Sequence, residues 1–355
     1  MLYQYKFITI TILLSLILMN CSQKVYDITD FEKMSIFEYL NQPDEKLNIE
    51  MAALILSKEI FPEIKFQEYT RIIDNISYRV QLYVKDKIDP RYKIASINTV
   101  LYKEYGVEFD KKDFLWRDYH NQFFSSALTR KKGVCTTLPL IYMVVSERLR
   151  YPVYAVAAPA HTFCRFVFTD DAGKEQYINI EATSGGGEVP DVCYIEDMQI
   201  PKKAFKNGVY LRTLSKREYI GSLLHNNGAY YLMKGNIDKA IKYFEESTKL
   251  NPRNSYTHYV LGICYKKMCN SLDTPEERKP YYFKALKQDE IVDNLGIAPP
   301  CPEDYWKQSF TEDLQHKNEQ NIEIRKGADG IIYAEDTSYR KKIKMLEAKY
   351  YDYFH

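Results

Sequence analysis

Cys135, His161 and Glu181 are the residues whose types and order could carry out a reaction. Cys135 stands in Gly133-Val134-Cys135-Thr136-Thr137, at the start of an apolar helical run. His161 follows in Pro159-Ala160-His161-Thr162-Phe163, and Glu181 closes Tyr177-Ile178-Asn179-Ile180-Glu181. A thiol opening a helix, an imidazole near the start of a strand and a carboxylate on the next strand are the parts of a nucleophile, its base and the group that orients the base. Each alone has a blander reading, as a small buried hydrophobe, a structural histidine and a solvated acid. Their order and spacing favour the set.

The elements that must position them can be read from periodicity. Leu138, Ile141, Tyr142, Val145 and Leu149 form the buried stripe of a helix, and Pro139 places its start close to Cys135, because proline is tolerated only in a first turn. A thiolate there would meet the positive end of the helix dipole and unpaired amides. After Pro152 the period changes to two. Val153 to Ala157, Phe163 to Phe168 and Tyr177 to Ile180, with a turn at Asp171-Ala172-Gly173, predict a small antiparallel sheet packed on the Cys helix. On neighbouring strands of a hairpin, His161 and Glu181 can face each other. Cys164, three residues after His161, should point to the opposite face, into the core.

Upstream, Ile49, Ala52, Ala53, Leu56 and Ile60 predict a helix with one buried face that ends before Pro62. Tyr69, Ile72, Ile73, Ile76 and Val80 predict a second, and Ile94, Ile97, Leu101 and Tyr105 a third, capped by Gly106. Downstream, Gly228, Tyr231, Ala240, Phe244 and Pro252 fall on the small and aromatic positions of a tetratricopeptide repeat. Leu261, Gly262 and Tyr265 begin a second copy, interrupted at Asp273 to Lys279. Two repeats leave an apolar face open, so they should pack on the domain before them.

Lys and Arg number 49 against 48 Asp and Glu, so no net field recommends nucleic acid as a partner. The 32 tyrosines suit helix interfaces with polar tips at the surface. The seven cysteines are scattered singly and make no disulfide framework. Cys264 and Cys269 have no histidine or cysteine cluster beside them, so no metal or other cofactor is expected. At the start, Lys6 precedes an apolar run from Phe7 to Met19 that has the length of a secretory leader. It ends at Leu18-Met19-Asn20-Cys21, which resembles the lipobox of bacterial lipoproteins. The expected localisation is the cell envelope, with the chain anchored to a membrane through acylated Cys21.

The stretch from about Leu47 to Met268 resembles the transglutaminase-like superfamily and, within it, the SirB-type family. The resemblance is carried by Ala52-Ala53-Leu54-Ile55-Leu56 with Pro62, by Asn98-Thr99-Val100-Leu101-Tyr102, by Asn121, by Pro159-Ala160-His161 and by the trailing repeats. It implies an α+β fold with a papain-like core, a Cys helix on a small antiparallel sheet, flanked by N-terminal helices and C-terminal helical repeats. It also implies that Cys135, His161 and Glu181 are the catalytic triad, with Glu in place of the commoner Asp. The backbone N–H of Cys135 would be one oxyanion donor, with Asn121 or Gln122 the other. The expected organisation is a signal peptide (1–20), a polar tether (21–46), the transglutaminase-like domain (47–214), the repeats (215–302) and a charged helical segment (303–355). Two functions fit. One is a thiol hydrolase or acyltransferase acting on peptide or amide bonds; the other is a non-catalytic scaffold that docks a protein partner. The anchor is testable directly. Cys21→Ala should release the protein from membranes or leave an unprocessed precursor, and fractionation and migration like the wild type would reject the lipobox.

Overall fold

In the computed structural model the described residues are 28–113, 117–297, 323–326, 332–335 and 337–355. The expected leader, Cys21 and the repeat boundary expected at residue 302 lie outside them. The first described residues correct the expected tether. Helices α1 (Ile28–Phe31) and α2 (Ile36–Tyr39) lead into the fold, and Ile36, Tyr39 and Leu40 are buried in the main core. Ser35 and Glu38 form a capping box, and the Tyr39 hydroxyl both accepts from Asn48 N–H and donates to Asn48 C=O. A few apolar anchors in a polar stretch are enough to dock it.

Helices α3 (Ile49–Ile60), α4 (Phe66–Val84) and α5 (Pro90–Asn98) follow the predicted pattern. Each of α3 and α5 is capped by a side chain, Asn48 on Met51 N–H and Asp89 on Arg91 N–H. The single buried face expected for α3 is wrong: every residue from Ile49 to Ser57 is buried, Glu50 included. This helix is packed from several sides, by the Cys helix, by the short helix α6 (Phe124–Arg130) and by the repeats. Glu50 is tolerated inside because Arg148 reaches it at 2.6 Å. Helix α5 runs on as a π-helical turn, Thr99–Tyr105, which Gly106 ends at φ +82°.

The Cys helix α7 (Leu138–Arg148) is buried from Leu138 to Ser146, again on all sides. A short parallel bridge pairs β1 (Glu108–Phe109) with β2 (Lys132–Gly133) just before it. The sheet proper is β3 (Val153–Ala158), β4 (His161–Thr169), β5 (Glu175–Glu181) and β6 (Gly187–Glu188), antiparallel and in that order. Its two faces differ. Cys164, Phe166, Ile178 and Ile180 belong to the main core with the Cys helix, and Cys164 Sγ reaches Pro139 C=O at 3.5 Å. The opposite face carries His161, Phe163, Arg165, Tyr177, Asn179 and Glu181, and is covered by α8 (Asp191–Asp197) and α9 (Lys202–Lys206).

The repeat helices are α10 (Lys216–Met233), α11 (Ile237–Leu250), α12 (Ser255–Ser271) and α13 (Pro275–Leu295). They dock as expected. Asn227 Nδ2 on α10 donates to Leu56 C=O on α3, and Glu59 of α3 takes Tyr231 at 2.9 Å, Lys239 at 2.7 Å and the Tyr243 hydroxyl. The C-terminal part holds a hairpin, β7 (Glu323–Lys326) with β8 (Ile332–Glu335), where only weak helix was expected. Helix α14 (Thr337–Lys349) then lays Leu346 against Val192 and Cys193 of α8, while Lys349 and Tyr350 both reach Glu196. Among the described residues, Cys135, Cys164, Cys264 and Cys269 are free thiols.

Within the repeats, Gly228 is required by contact and not by backbone angle. A Cβ there would lie 2.6 Å from the ring of Phe244, a fully buried side chain. Gly228→Ala should therefore lower stability by about 1–2 kcal/mol, overpacking outweighing the helix propensity gained. Denaturant unfolding should show a lower midpoint; an unchanged or higher midpoint would contradict the close packing of α10 on α11.

Candidate active site

Cys135 lies in a tight turn that leads into the Cys helix. The turn is closed by Thr137 N–H and Leu138 N–H on Val134 C=O, so the helix begins at Leu138, three residues later than Cys135 itself. Pro139 sits in its first turn, as its missing N–H demands. Thr137 fixes the turn from inside: its hydroxyl accepts from Val134 N–H at 3.1 Å and donates to Asn121 C=O at 2.7 Å. Gly133 leaves room for this, since a Cβ there would stand 2.5 Å from Thr137 Oγ1. The Cys135 side chain is 3% exposed, and its Sγ points to Ala160 C=O at 3.6 Å.

Ala160 belongs to the β3–β4 turn and has φ +45°, a left-handed conformation that costs a non-glycine residue about 1 kcal/mol. That strained turn delivers both its own carbonyl and the next residue, His161, to the thiol. The imidazole stands near enough to the Cys135 side chain for the sulfur to raise its basicity, and its Nε2 meets Glu181 Oε2 at 2.7 Å. Because Nε2 is committed to Glu181, Nδ1 is the nitrogen that remains for the sulfur. Glu181 and His161 are not directly opposite. Glu181 falls beside Phe163 in the β4–β5 register, so the two meet on the diagonal, two residues apart, on one face of the sheet.

The carboxylate of Glu181 has more partners than the histidine. Oε1 accepts from Thr183 N–H at 3.0 Å and Thr183 Oγ1 at 2.5 Å, and Oε2 accepts from the Tyr194 hydroxyl at 2.8 Å as well as from His161. Burial pushes its pKa up, but the imidazolium and the hydrogen bonds from His161, Thr183 and Tyr194 outweigh burial and hold the carboxyl well below its usual range. Burial likewise works against a charged His161, and the Glu181 charge together with the Cys135 contact raises it well above an ordinary histidine. The loop that follows is held by the π-helical turn. Tyr102 donates to Ala182 C=O, and Asn98 Nδ2 donates to Gly186 C=O so closely that a Cβ on Gly186 would overlap the amide.

The two residues expected to complete an oxyanion hole are placed differently. Asn121 Nδ2 donates to Asp110 at 3.1 Å and to Asp113 at 2.9 Å, which uses both of its N–H groups. Its side-chain amide is therefore spent on Asp110 and Asp113, and its backbone carbonyl on the Cys turn. Gln122 lies at the Cys turn: its Oε1 accepts from Thr136 Oγ1 at 2.9 Å, and its Nε2 is a buried donor without a partner among the described residues. Thr183 and Tyr194 escaped the sequence reading. An acid followed two residues later by Thr is a local signal that could have found Thr183. Tyr194 has no signal at all, since it reaches Glu181 from a separate helix.

The family model for the transglutaminase-like superfamily matches residues 67–223, and that for the tetratricopeptide repeat matches 221–254. A UPF0162 protein of Xylella fastidiosa strain 9a5c is 20% identical over 237 residues, which is 63% of this chain and 79% of that protein. Its counterpart in strain Temecula1 is 22% identical over 250 residues, 67% of this chain and 84% of that protein. F-box only protein 21 of Mus musculus is 20% identical over 251 residues, 65% of this chain but 37% of its own length. No solved structure matches. The turn, hairpin and Cys helix described above all fall inside the first matched segment, so this part of the chain is a transglutaminase-like domain, with a tetratricopeptide repeat joined directly behind.

Proposed function

We propose that this protein is a membrane-tethered thiol hydrolase or acyltransferase acting on peptide or amide bonds, with Cys135, His161 and Glu181 as its triad. The observation that carries the reading is the 2.7 Å contact between His161 Nε2 and Glu181 Oε2, with the Cys135 thiol acting on the same ring. In this reading the Cys135 sulfur attacks the carbonyl carbon as thiolate, its proton resting on His161. The tetrahedral intermediate places its negative oxygen at the Cys135 N–H and at Gln122 Nε2, the buried donor beside Thr136. His161 then gives its proton to the leaving amine, and the C–N bond breaks to leave a thioester on Cys135. Water or a second amine, deprotonated by His161, attacks that thioester and frees the thiol. Glu181 stays ionised throughout and fixes the tautomer of the ring.

The scaffold reading has its own observation, the 3% exposure of Cys135, which is that of a core thiol. A tetratricopeptide repeat supports protein–protein interaction in either reading, so the repeat does not discriminate between them. Thiol reactivity does. An imidazolium beside a sulfur favours the thiolate, so Cys135 should be alkylated by a small reagent at pH about 6 to 7 faster than Cys164, Cys193 or Cys264. His161→Ala should slow this labelling most, and Glu181→Gln less, since it removes only the orienting group. Labelling at Cys135 that is flat across this range in folded protein would leave only the scaffold.

The pair also makes a prediction on stability that needs no substrate. His161, raised in the folded state, contributes stability that is full below its unfolded value of about 6.5 and is lost as pH rises through the folded one. Glu181, lowered, contributes above its unfolded value of about 4.3 and loses this as pH falls. The stability difference between wild type and Glu181→Gln should thus be greatest between about pH 4.3 and 6.5, and narrow on either side. A difference independent of pH would mean that the two groups are not ionised together.

A further inference from the structure

The face of the sheet that carries His161 and Glu181 is covered by a helix of seven residues, α8, whose inward side chains are anchored at two points. Asp191, at its start, accepts from Arg165 at 2.6 Å, Asn179 at 2.7 Å and the Tyr177 hydroxyl at 2.9 Å. One turn on, Tyr194 lies flat against Phe163, with ring centres 4.0 Å apart and planes within 5°, and its ring is 6.1 Å from that of His161. The Asp191 anchor sets the register in which the Tyr194 hydroxyl meets Glu181 Oε2, the oxygen that also receives His161. The outer side of α8 is held by Leu346 and by Lys349 and Tyr350 on Glu196. So short a helix is thereby fixed from both sides. A phenylalanine at 194 would fill the same space and make the same stack; the hydroxyl is the part that packing does not require.

We propose that Tyr194 is a positioning residue for the His161–Glu181 pair, its hydroxyl sharing Oε2 with the imidazole and so setting how tightly Glu181 holds the ring. Its significance for turnover rests on the triad reading above; its effect on the imidazole does not. The O–H directs its positive end at the carboxylate, which weakens the field that Glu181 exerts on the imidazolium. Without it, Oε2 has one donor fewer and the imidazolium is held harder, so its proton leaves at higher pH. The other groups near the pair are Cys135 on the turn before the Cys helix, Thr183 on Oε1, and Tyr102 on the π-helical turn. Cys164 on the far face of β4, Asp191 on α8 and Tyr219 on α10 complete the set. None of these donates to Oε2, the oxygen that Tyr194 and His161 share.

The test is an NMR titration of the His161 ring in full-length protein, with the signal assigned through His161→Ala. Tyr194→Phe should move the imidazolium midpoint up by about half a pH unit or more. Fluorotyrosine at 194, a more acidic and stronger donor in the same space, should move it down. Tyr353→Phe, which removes a hydroxyl bonded to Ile200 C=O on the same side of the fold, is the control for mere loss of packing and should leave it unmoved. Shifts of opposite sign at 194 are beyond a purely structural tyrosine. An unchanged midpoint with fluorotyrosine, where the fold is retained, overturns the proposal even if Tyr194→Phe proves too unstable to titrate. The outcomes are separable from those for the triad. Slow alkylation of Cys135 in the wild type rejects the chemistry and leaves Tyr194 standing, whereas a fixed midpoint rejects Tyr194 and leaves the chemistry.

Discussion

A carboxylate buried away from water survives as an anion only if its lone pairs are met by donors and its charge by a partner. Glu181 satisfies both demands, with Thr183 on one oxygen, His161 and Tyr194 on the other. Much of the architecture around it can be understood as the means of bringing those donors together. The hairpin register supplies His161 on the diagonal, the chain reversal after β5 supplies Thr183, and α8 supplies Tyr194. The neighbouring ion pair of Arg165 with Asp191 follows the same rule on the same face, backed by Asn179 and Tyr177. A sheet face that would ordinarily be wet is here closed by a helix, and its polar groups are paired with each other.

The remainder of the molecule gives that face a rigid back. Helices α3 and α7 are buried all round, so neither can shift without disturbing the main core. The repeats are part of this enclosure. Glu59 gathers Tyr231, Lys239 and Tyr243, and Asn227 ties α10 to the end of α3. Asn226, on the same helix, donates to Gln122 C=O at 3.2 Å, so the repeats also touch the residue beside the Cys turn. From the repeats the path to the Cys turn thus runs along α10 and through two hydrogen bonds, Asn226 to Gln122 C=O and Thr136 to Gln122 Oε1.

The parts legible from sequence were those governed by local rules. Periods of 3.6 and 2 placed the helices, the hairpin strands and the Asp171-Ala172-Gly173 turn, and Pro139 bound the start of the Cys helix to within three residues. Small and aromatic spacing gave the repeats, because Gly228 and Phe244 must fit each other. The types and order of Cys135, His161 and Glu181 sufficed to name a candidate triad, since the chemistry demands those groups whatever holds them.

What tertiary structure alone decided was burial and partnership across the chain. Periodicity marks the most apolar face of a helix but cannot say that neighbours will cover the others, which is why α3 was read as half-buried. The tether expected over 21–46 gives way from Ile28 onward to docked helices, because mean polarity hides the few side chains that anchor them. Asn121 and Gln122 are adjacent amides, indistinguishable in sequence. Only the fold aims one at Asp110 and Asp113 and leaves the other's donor free beside the Cys turn. Tyr194 shows the limit most clearly: a hydrogen bond between side chains on a strand and a distant helix has no period, no spacing and no motif, because it exists only once α8 has folded across the sheet.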